Sequence, residues 1–213
     1  MVVAEDTKER LLLAAGQVFA EKGFQAATIR EISQKAEANV AAINYHFGDK
    51  EQLYIEAVRT AHKCRGDAYP LPEWTPETSS ATRLSHFIEN LLQRMLGEGE
   101  AEWHHLLLMR EMMQPTEAVA ALIREGIRPH FEILLAILAE IMPEGTPELE
   151  LRFVGLSIVG QCFAYRTGRP IVEGLLGPAF ASKLTREQLT QNIVRFSLAA
   201  LGLTPPLNKE STP

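Results

Sequence analysis

The stretch Thr28–Lys50, TIREISQKAEANVAAINYHFGDK, decides how this chain is interpreted. Thr28 followed three residues later by Glu31 is the pattern of a capping box, which predicts that a helix begins here. The AEAN segment at residues 36–39 interrupts that helix, and Asn39 is a residue type that caps the start of another. Two short helices joined by a tight turn predict a helix-turn-helix, whose second helix can enter the major groove of DNA.

The predicted second helix has one apolar face and one polar face. Val40, Ile43 and Phe47 share the expected buried stripe. The candidate DNA-contacting residues are Thr28, Arg30, Asn39, Ala41, Ala42, Asn44, Tyr45, His46 and Lys50. An aromatic–His pair at a helix end is also typical of a packed corner, so these residues alone leave that alternative open.

Each candidate type suits a different part of the duplex. Small Ala41 and Ala42 allow close approach of the helix backbone, and the Asn44 amide can both accept from and donate to adenine. Tyr45 and Lys50 carry donors suited to phosphates, contacts that set register on the duplex without reading sequence.

The longer string INYHFGDKEQLY resembles the closing signature of the DNA-binding region in the TetR family of bacterial repressors. In that family an aromatic-His-Phe triplet precedes a lysine at the start of the next helix. The upstream order also fits, with Gly23 and Phe24 near the end of a first helix, and the resemblance covers roughly residues 7–65. Two departures are visible, since Glu37 and Ala41 stand where the family usually has glycines. The base preference of the family therefore cannot be carried over.

Composition places the chain among ordinary globular proteins, with 46% hydrophobic and 23% charged residues in 213. Residues 1–66 hold nine of the 21 basic and nine of the 27 acidic residues, so the net charge of −6 lies entirely in the remainder. A neutral head on an acidic body predicts modest non-specific affinity for DNA. Two cysteines, no secretory signal and no long apolar run predict a cytoplasmic protein.

Helical periodicity continues through the rest of the chain, and no alternating strand pattern is present, so the predicted fold class is all-α. We predict a helix-turn-helix DNA-binding domain at 1–48 and a helical ligand-binding and dimerisation domain at 49–204. The second domain begins with a linking helix at 49–66, and 205–213 form a disordered tail. Pro129 is expected to kink or divide a long helical stretch.

A homodimer is expected, because one recognition helix reads too few bases for useful specificity and two-fold pairing places two about 34 Å apart. In the resembled family the last two helices of each subunit form a four-helix bundle across the dimer axis. The residues expected at that interface are Leu156, Gly160, Phe163, Ile193 and Phe196. The same apolar stripes are also typical of an ordinary core.

Two body segments, LLLMREMMQPT at 106–116 and SIVGQCFAYRTGRPI at 157–171, resemble the TetR subgroup with a CecR/YbiH-type C-terminal domain. The resemblance implies a small-molecule site in the body whose occupation shifts the linking helix. Candidate ligand-binding residues are Trp103, His104, Met109, Arg110, Met113, Phe131, Gln161 and Tyr165. Met and aromatic residues at helical spacing are, however, more often core than pocket. Adjacent His104 and His105 point in different directions from a helix, so no metal or other cofactor is expected.

The sequence contains no Walker loop and no GxSxG, HExxH or CxxC motif, which argues against an enzyme. The predicted function is a homodimeric transcriptional repressor that binds a palindromic operator through residues 39–46. A small apolar or amphipathic effector in the C-terminal domain is expected to release the DNA. The alternative is an all-helical small-molecule binding protein or enzyme without DNA binding.

Overall fold

The computed structural model describes residues 2–97, 102–181 and 183–203, and every regular element in those ranges is helical. The helices are α1 (Val2–Ala26), α2 (Ile29–Lys35), α3 (Val40–Phe47), α4 (Lys50–Ala68), α5 (Ser80–Leu96), α6 (Glu102–Met113), α7 (Ala118–Leu122), a π-helix (Ile123–Ile127), α8 (Arg128–Ile141), α9 (Glu148–Thr167), α10 (Arg169–Leu176), α11 (Pro178–Ala181) and α12 (Arg186–Ala200). The predicted all-α fold class is confirmed. The predicted disordered tail at 205–213 lies outside the described residues.

Side-chain caps fix the residues at which α4 and α12 begin. Asp49 Oδ1 accepts from the Gln52 amide at 2.8 Å where α4 begins, and Thr185 Oγ1 accepts from the Gln188 amide at 3.2 Å where α12 begins. Each cap satisfies a backbone donor that has no partner inside its helix, which stabilises a helix start by about 1 kcal/mol.

The regular part of α1 is interrupted at Gly23, whose φ of 78° and ψ of 169° are non-helical. Only glycine adopts such a conformation at low cost, which explains why the chain can turn here toward α2. The helix end predicted at this glycine is therefore confirmed as a break within α1.

The π-helix explains how the chain accommodates Pro129. Proline has no N–H, and its ring crowds the carbonyl four residues earlier, which is that of Glu125. One wider turn, in which the Arg128 amide bonds to the Ile123 carbonyl, separates α7 from α8 at this place. The predicted division is confirmed, and it lies in the turn that precedes the proline.

The described chain forms two compact units, of which the first comprises Met1–Ala68 and Glu98–Pro129. Its core is built where α1, α4 and α6 pack together. Phe19 and Tyr54 meet edge to face, with ring centroids 4.9 Å apart. Next to them, Glu111 is fully buried and accepts from the Tyr54 hydroxyl at 2.8 Å and the Thr116 amide at 2.8 Å. Helices α2 and α3 therefore rest on a core to which α6 contributes.

The second unit comprises Tyr69–Gly97 and His130–Pro213, and its core lies between α5, α8, α9 and α12. Leu84, Leu138 and Ile193 are fully buried in it. Asn90, also buried, donates from Nδ2 to the carbonyls of Tyr69 and Pro70 at 3.0 Å, which fastens the connecting loop to α5.

The two units differ from the predicted domains in two respects, the first being that α4, predicted to begin the second domain, lies in the first unit. We also expected α6 and α7 in the ligand-binding domain at 49–204, whereas they pack in the same compact unit as residues 1–68. The expectation followed chain order, but burial of the α1 and α4 faces requires α6 as a third helix. The functional boundary between 48 and 49 stays a prediction.

Candidate nucleic-acid interface

The first of the two short helices is fixed by a complete capping box. The Glu31 amide donates to Thr28 Oγ1 at 3.2 Å, and the Thr28 amide donates to Glu31 Oε2 at 3.1 Å. Lys22 Nζ also reaches Glu31 Oε1 at 2.5 Å. The hydrogen bond from Lys22, followed by those from Thr28, lowers the pKa of the Glu31 carboxyl below its usual value. The Thr28 side chain therefore caps α2, and it remains exposed at the surface.

The turn between α2 and α3 contains the one non-glycine residue with a positive φ among those that the structure describes. Glu37 has a φ of 51°, in the left-handed region. The Ala38 amide bonds to the Ser33 carbonyl at 2.9 Å across the same turn. A non-glycine residue in this conformation costs about 1 kcal/mol or more. The glycine that the resemblance leads one to expect here would remove that strain.

Helix α3 is anchored by two of its apolar residues. Ile43 is fully buried and Phe47 nearly so, while Asn39 Oδ1 caps the start by accepting from the Ala41 amide at 2.9 Å. The predicted stripe is wrong for Val40, which is 38% exposed, because it occupies the first helical position at the edge of the core.

The other face of α3 is open to solvent. Ala41, Asn44 and Tyr45 are exposed, Tyr45 to 84%, while Ala42 and His46 are half-buried. The Tyr45 and His46 rings stand edge to face with centroids 4.9 Å apart. The packed-corner alternative does not hold for Tyr45. Small residues, the Asn44 amide, the Tyr45 hydroxyl and the His46 imidazole therefore lie on or beside this face within about one helical turn.

Two expected cations differ in their surroundings. Arg30 lies exposed in the first turn of α2. Lys50 is half-buried, with Nζ 4.7 Å from the centroid of the Phe24 ring and 3.4 Å from the Gln25 carbonyl oxygen. Lys50 therefore ties the start of α4 to the end of α1, a packing role that its sequence position did not reveal.

Two further cations of this surface were missed by the sequence analysis. Lys22 pairs with Glu31 across the break between α1 and α2, and Lys35 lies exposed at the last position of α2. Nothing in the local spacing marks Lys22, because its partner is nine residues away and on another helix. Lys35 could have been found from its place in the last turn, where a cation favours the helix dipole.

Five of the eight expected ligand-binding residues lie on α6, in the first unit. Trp103 is 8% exposed and packs against Gly16, where an added Cβ would come within 2.5 Å of three ring carbons. Arg110 donates to the carbonyls of Ala20 and Glu21, each at 2.7 Å. These bonds tie the Arg110 guanidinium to the end of α1, and its role as a ligand anchor stays a prediction.

The remaining α6 candidates differ in exposure. His104 is half-buried, and burial, with a smaller contribution from Arg65, lowers its pKa below the usual value. Met109 is half-buried and Met113 is 76% exposed. A surface groove that Trp103 lines includes none of these three residues.

The other three candidates belong to the second unit. Phe131 packs against Gly155, where an added Cβ would lie 3.0 Å from the ring. Gln161 Nε2 donates to the Ser157 carbonyl at 3.4 Å, and Tyr165 is half-buried against the core. The eight expected residues are therefore divided between two compact units.

One surface groove in the first unit has a volume of about 430 Å³. It is lined by Gln17, Ala20, Glu21, Lys35, Glu102, Trp103 and Leu106. Of the expected ligand residues it includes Trp103 alone. Among the described residues no group of three His, Cys, Asp or Glu side chains is placed to hold a metal ion. None of the helices in the described ranges is long and apolar enough to span a membrane.

The expected dimer residues separate into exposed and buried sets. Leu156 and Phe196 are 56% and 63% exposed, Gly160 is exposed, and Phe163 is half-buried. Ile193 is corrected, because it is fully buried in the core of its own unit and has no surface to offer a partner.

Comparison with known proteins gives two matches to family models along the chain. Residues 11–57 match the model described as bacterial regulatory proteins, tetR family. Residues 81–201, more than half of the chain, match the model of the C-terminal domain of the HTH-type transcriptional dual regulator CecR.

Individual proteins are similar over most of their length. The HTH-type transcriptional dual regulator CecR of Shigella flexneri is 25% identical over 80% of each chain. A TetR-like transcriptional regulator from Rhodococcus sp. RHA1 superposes with a TM-score of 0.63 at 17% identity, over 92% of this chain and 96% of that one. AibR, solved in complex with isovaleryl coenzyme A and operator DNA, superposes with a TM-score of 0.63 at 14% identity, over 89% and 97%.

Proposed function

Because the chain belongs to the TetR family of bacterial regulators, with a C-terminal domain of the CecR type, we propose that it is a homodimeric transcriptional repressor. Its α3 helix enters the major groove of a palindromic operator. A small apolar or amphipathic effector, bound in the C-terminal domain, releases the DNA. DNA-binding regulation is the family's property; the repression, the dimer and the effector are the proposal.

The observation that carries the proposal is the exposed face of α3 on a rigid support. Ile43 and Phe47 fix the helix from below, while Asn44 and Tyr45 project into solvent. A helix that holds its orientation before binding loses little freedom when it docks, which favours specific recognition.

The chemistry of that face assigns separate tasks to its residues. Asn44 reads a base edge, since its amide matches the N6 and N7 pattern of adenine. Tyr45, His46 and Arg30 contact phosphates and set the register of α3. Thr28 and Asn39 stand at the helix N-termini, where backbone amides favour phosphate oxygens.

The helix that follows gives the site a mechanical connection. Helix α4 begins three residues after α3 ends. It is held by the buried Tyr54–Glu111 hydrogen bond and by Arg59, which donates from Nε and Nη2 to the Glu125 carboxylate at 2.8 and 2.9 Å. A displacement of α6 or of the π-helix would therefore alter the contacts that hold α4, and α4 would in turn displace α3.

The DNA contact is tested by electrophoretic mobility shift with DNA from upstream of the protein's own gene. Asn44→Ala is expected to weaken binding by roughly 1–3 kcal/mol per half-site and to relax preference at one base position. Gln114→Ala, which removes an exposed amide outside the motif, is the matched control and should bind as the unmodified protein does. Unchanged specificity in Asn44→Ala would contradict the assigned role, and no sequence-selective binding at moderate salt would contradict the proposed function.

A salt titration separates phosphate contacts from base contacts. Replacing Arg30 by Ala is expected to weaken all sequences alike and to reduce the dependence of log K on log salt by about 0.9 per subunit. The effector is tested by native mass spectrometry of the purified protein and by release of labelled DNA. If no small molecule binds the protein and shifts its DNA affinity, the effector part of the proposal fails.

A further inference from the structure

The short helices α10 and α11 carry an apolar surface that their own subunit leaves uncovered. Ile171, Leu175, Leu176 and Phe180 are between 44% and 82% exposed. Helix α10 has no buried residue at all, although five of its eight residues are apolar or proline. Within its own subunit α10 has at most half-buried side chains such as that of Val172, so it gains little of the packing that supplies most helical stability.

We propose that α10 and α11 dock on a second copy of this chain and supply about half of the dimer interface. This inference rests on the homodimer proposed above, and it assigns a surface that none of the expected interface residues included. It also identifies the occupant of the exposed apolar face.

The first argument is the position of the surface in the chain. Helix α9, which precedes it, has an exposed apolar stripe formed by Leu149, Phe153 and Leu156 at helical spacing. Helix α12, which follows it, exposes Phe196. Within the second unit α10 packs against α9 and α11, and α9 packs against α12. The uncovered residues are therefore continuous along the chain with the face expected to pair.

The second argument is area. Leu149, Phe153, Leu156 and Phe196 are 56–63% exposed and so offer roughly 400 Å² of apolar surface, at about 150–200 Å² for each large side chain. Since a homodimer interface is about 65% apolar, this supports only about 600 Å² per subunit, the lower limit of a stable interface. The four residues of α10 and α11 add roughly 400 Å² more, which brings the total buried by both subunits to about 2,400 Å², within the range of obligate dimers.

The third argument is charge, which disfavours a lipid surface. Amphipathic helices that lie on membranes carry Lys and Arg on their polar face. The charged residues of α10 are Arg169 and Glu173, which pair with each other through Nε and Oε1 at 2.8 Å. The nearby Lys183 lies over the Phe180 ring, with Nζ 5.6 Å from its centroid. Helix α10 therefore has no net charge to attract anionic lipid. Docking on a second copy depends on burial of apolar surface and requires no net charge.

The composition of the residues that follow Leu203 is also poorly matched to this surface. Residues 204–213, TPPLNKESTP, contain one large apolar side chain, that of Leu207. One leucine does not match four exposed apolar residues.

The test is sedimentation velocity on the full chain over a range of concentrations. In the double variant Ile171→Ser/Leu175→Ser, each dimer loses four large apolar contacts by symmetry, so the dissociation constant should rise at least about 100-fold. The matched control is Leu13→Ser/Met113→Ser, which alters two exposed apolar residues of the first unit and should change the constant less than about threefold. Circular dichroism verifies that both variants stay folded.

Two further measurements distinguish this inference from the proposed function. Phe153→Ser/Phe196→Ser should weaken the dimer whether or not α10 takes part. If that variant dissociates while Ile171→Ser/Leu175→Ser does not, the inference is overturned and the proposed dimer stands. If the unmodified protein is a monomer both free and on DNA, the proposed dimer itself fails.

A photo-crosslinker at position 175 tests the contact directly. Leu175→p-benzoylphenylalanine should give a product of twice the subunit mass, and the same substitution at Leu13 should not. Absence of that product, or binding of the unmodified protein to phosphatidylcholine–phosphatidylglycerol vesicles that Ile171→Ser/Leu175→Ser abolishes, would overturn the inference.

Discussion

Helices α3 and α10 are the same length, eight residues, and each has at least half of its residues exposed to solvent. They differ in what holds them. Helix α3 buries Ile43 and Phe47 and exposes a polar face, whereas α10 has no fully buried residue and exposes apolar ones. A helix of the first kind is held in place by its buried residues, whether or not a ligand is bound to its polar face. A helix of the second kind, under the proposal above, gains most of its stability from the second copy.

The largest effect expected from this comparison comes from removing the anchor of α3. Ile43→Ala should cost roughly 3–4 kcal/mol of unfolding free energy, since Ile43 is fully buried. Leu175→Ala on α10 should cost less than about 0.5 kcal/mol, because Leu175 is 82% exposed in the subunit. Urea denaturation at low protein concentration measures both. Equal losses would remove the distinction between the two helices.

The support beneath α3 and α4 provides a second test. Glu111→Ala should cost roughly 2–3 kcal/mol, because the buried Tyr54 hydroxyl loses its acceptor. Burial and the contact with Glu111 together raise the pKa of Tyr54 well above its usual value. Glu102→Ala, at an exposed carboxylate of the same helix, is the control for urea denaturation. A loss no larger than the control's would show that the hydrogen bond contributes nothing to the support.

A smaller effect of the opposite sign is expected in the turn before α3. Glu37→Gly should raise the unfolding free energy by about 0.5 kcal/mol, since relief of the left-handed strain exceeds the entropy cost of glycine. Gln34→Gly, in the helical conformation of α2, should instead lower it by roughly 0.5–1 kcal/mol. Thermal unfolding compares the pair. Destabilisation by Glu37→Gly would mean that the Glu37 side chain makes contacts that outweigh the strain.

The smallest effect is the pH dependence of the capping box. The pKa of Glu31 is lower in the folded protein than its ordinary value of 4.5. Its contribution is therefore fully present above about pH 5 and is lost as the pH falls through the folded pKa. Glu31→Gln should reduce this acid sensitivity, as measured by unfolding between neutral and acidic pH. An identical pH profile in the variant would show that Glu31 does not contribute.

Local sequence rules predicted the local structure well. Thr28 and Asn39 cap the helices that they were expected to cap, and Asp49 and Thr185 cap theirs by the same local rule, because a capping side chain needs only neighbours within three residues. Pro129 divides its helix for an equally local reason. The exposed residues of α3 followed from helical periodicity, which failed only at the first position, Val40.

Expectations that depended on distant neighbours were less reliable. Arg110 bonds to carbonyls 89 and 90 residues away, and no periodicity reveals such a partner. Ile193 shared a stripe with Phe196, but the spacing of three residues places them far enough around α12 that one is buried and the other exposed. The apolar residues of α10 were visible in the sequence, yet only the fold shows that most of them stay exposed among the residues that the structure describes.

The non-contiguous make-up of the first unit limits how such proteins can be recombined. A fragment that ends at Ala68 would keep α3 but lose α6, which packs with Phe19 and Tyr54 in the core. A chimaera that joins the first unit to another C-terminal domain must therefore keep residues 98–129 together with residues 1–68. The part that can be transferred as one folding unit is therefore two stretches of sequence, and the unit exchanged for another is likewise two stretches, residues 69–97 and 130–213.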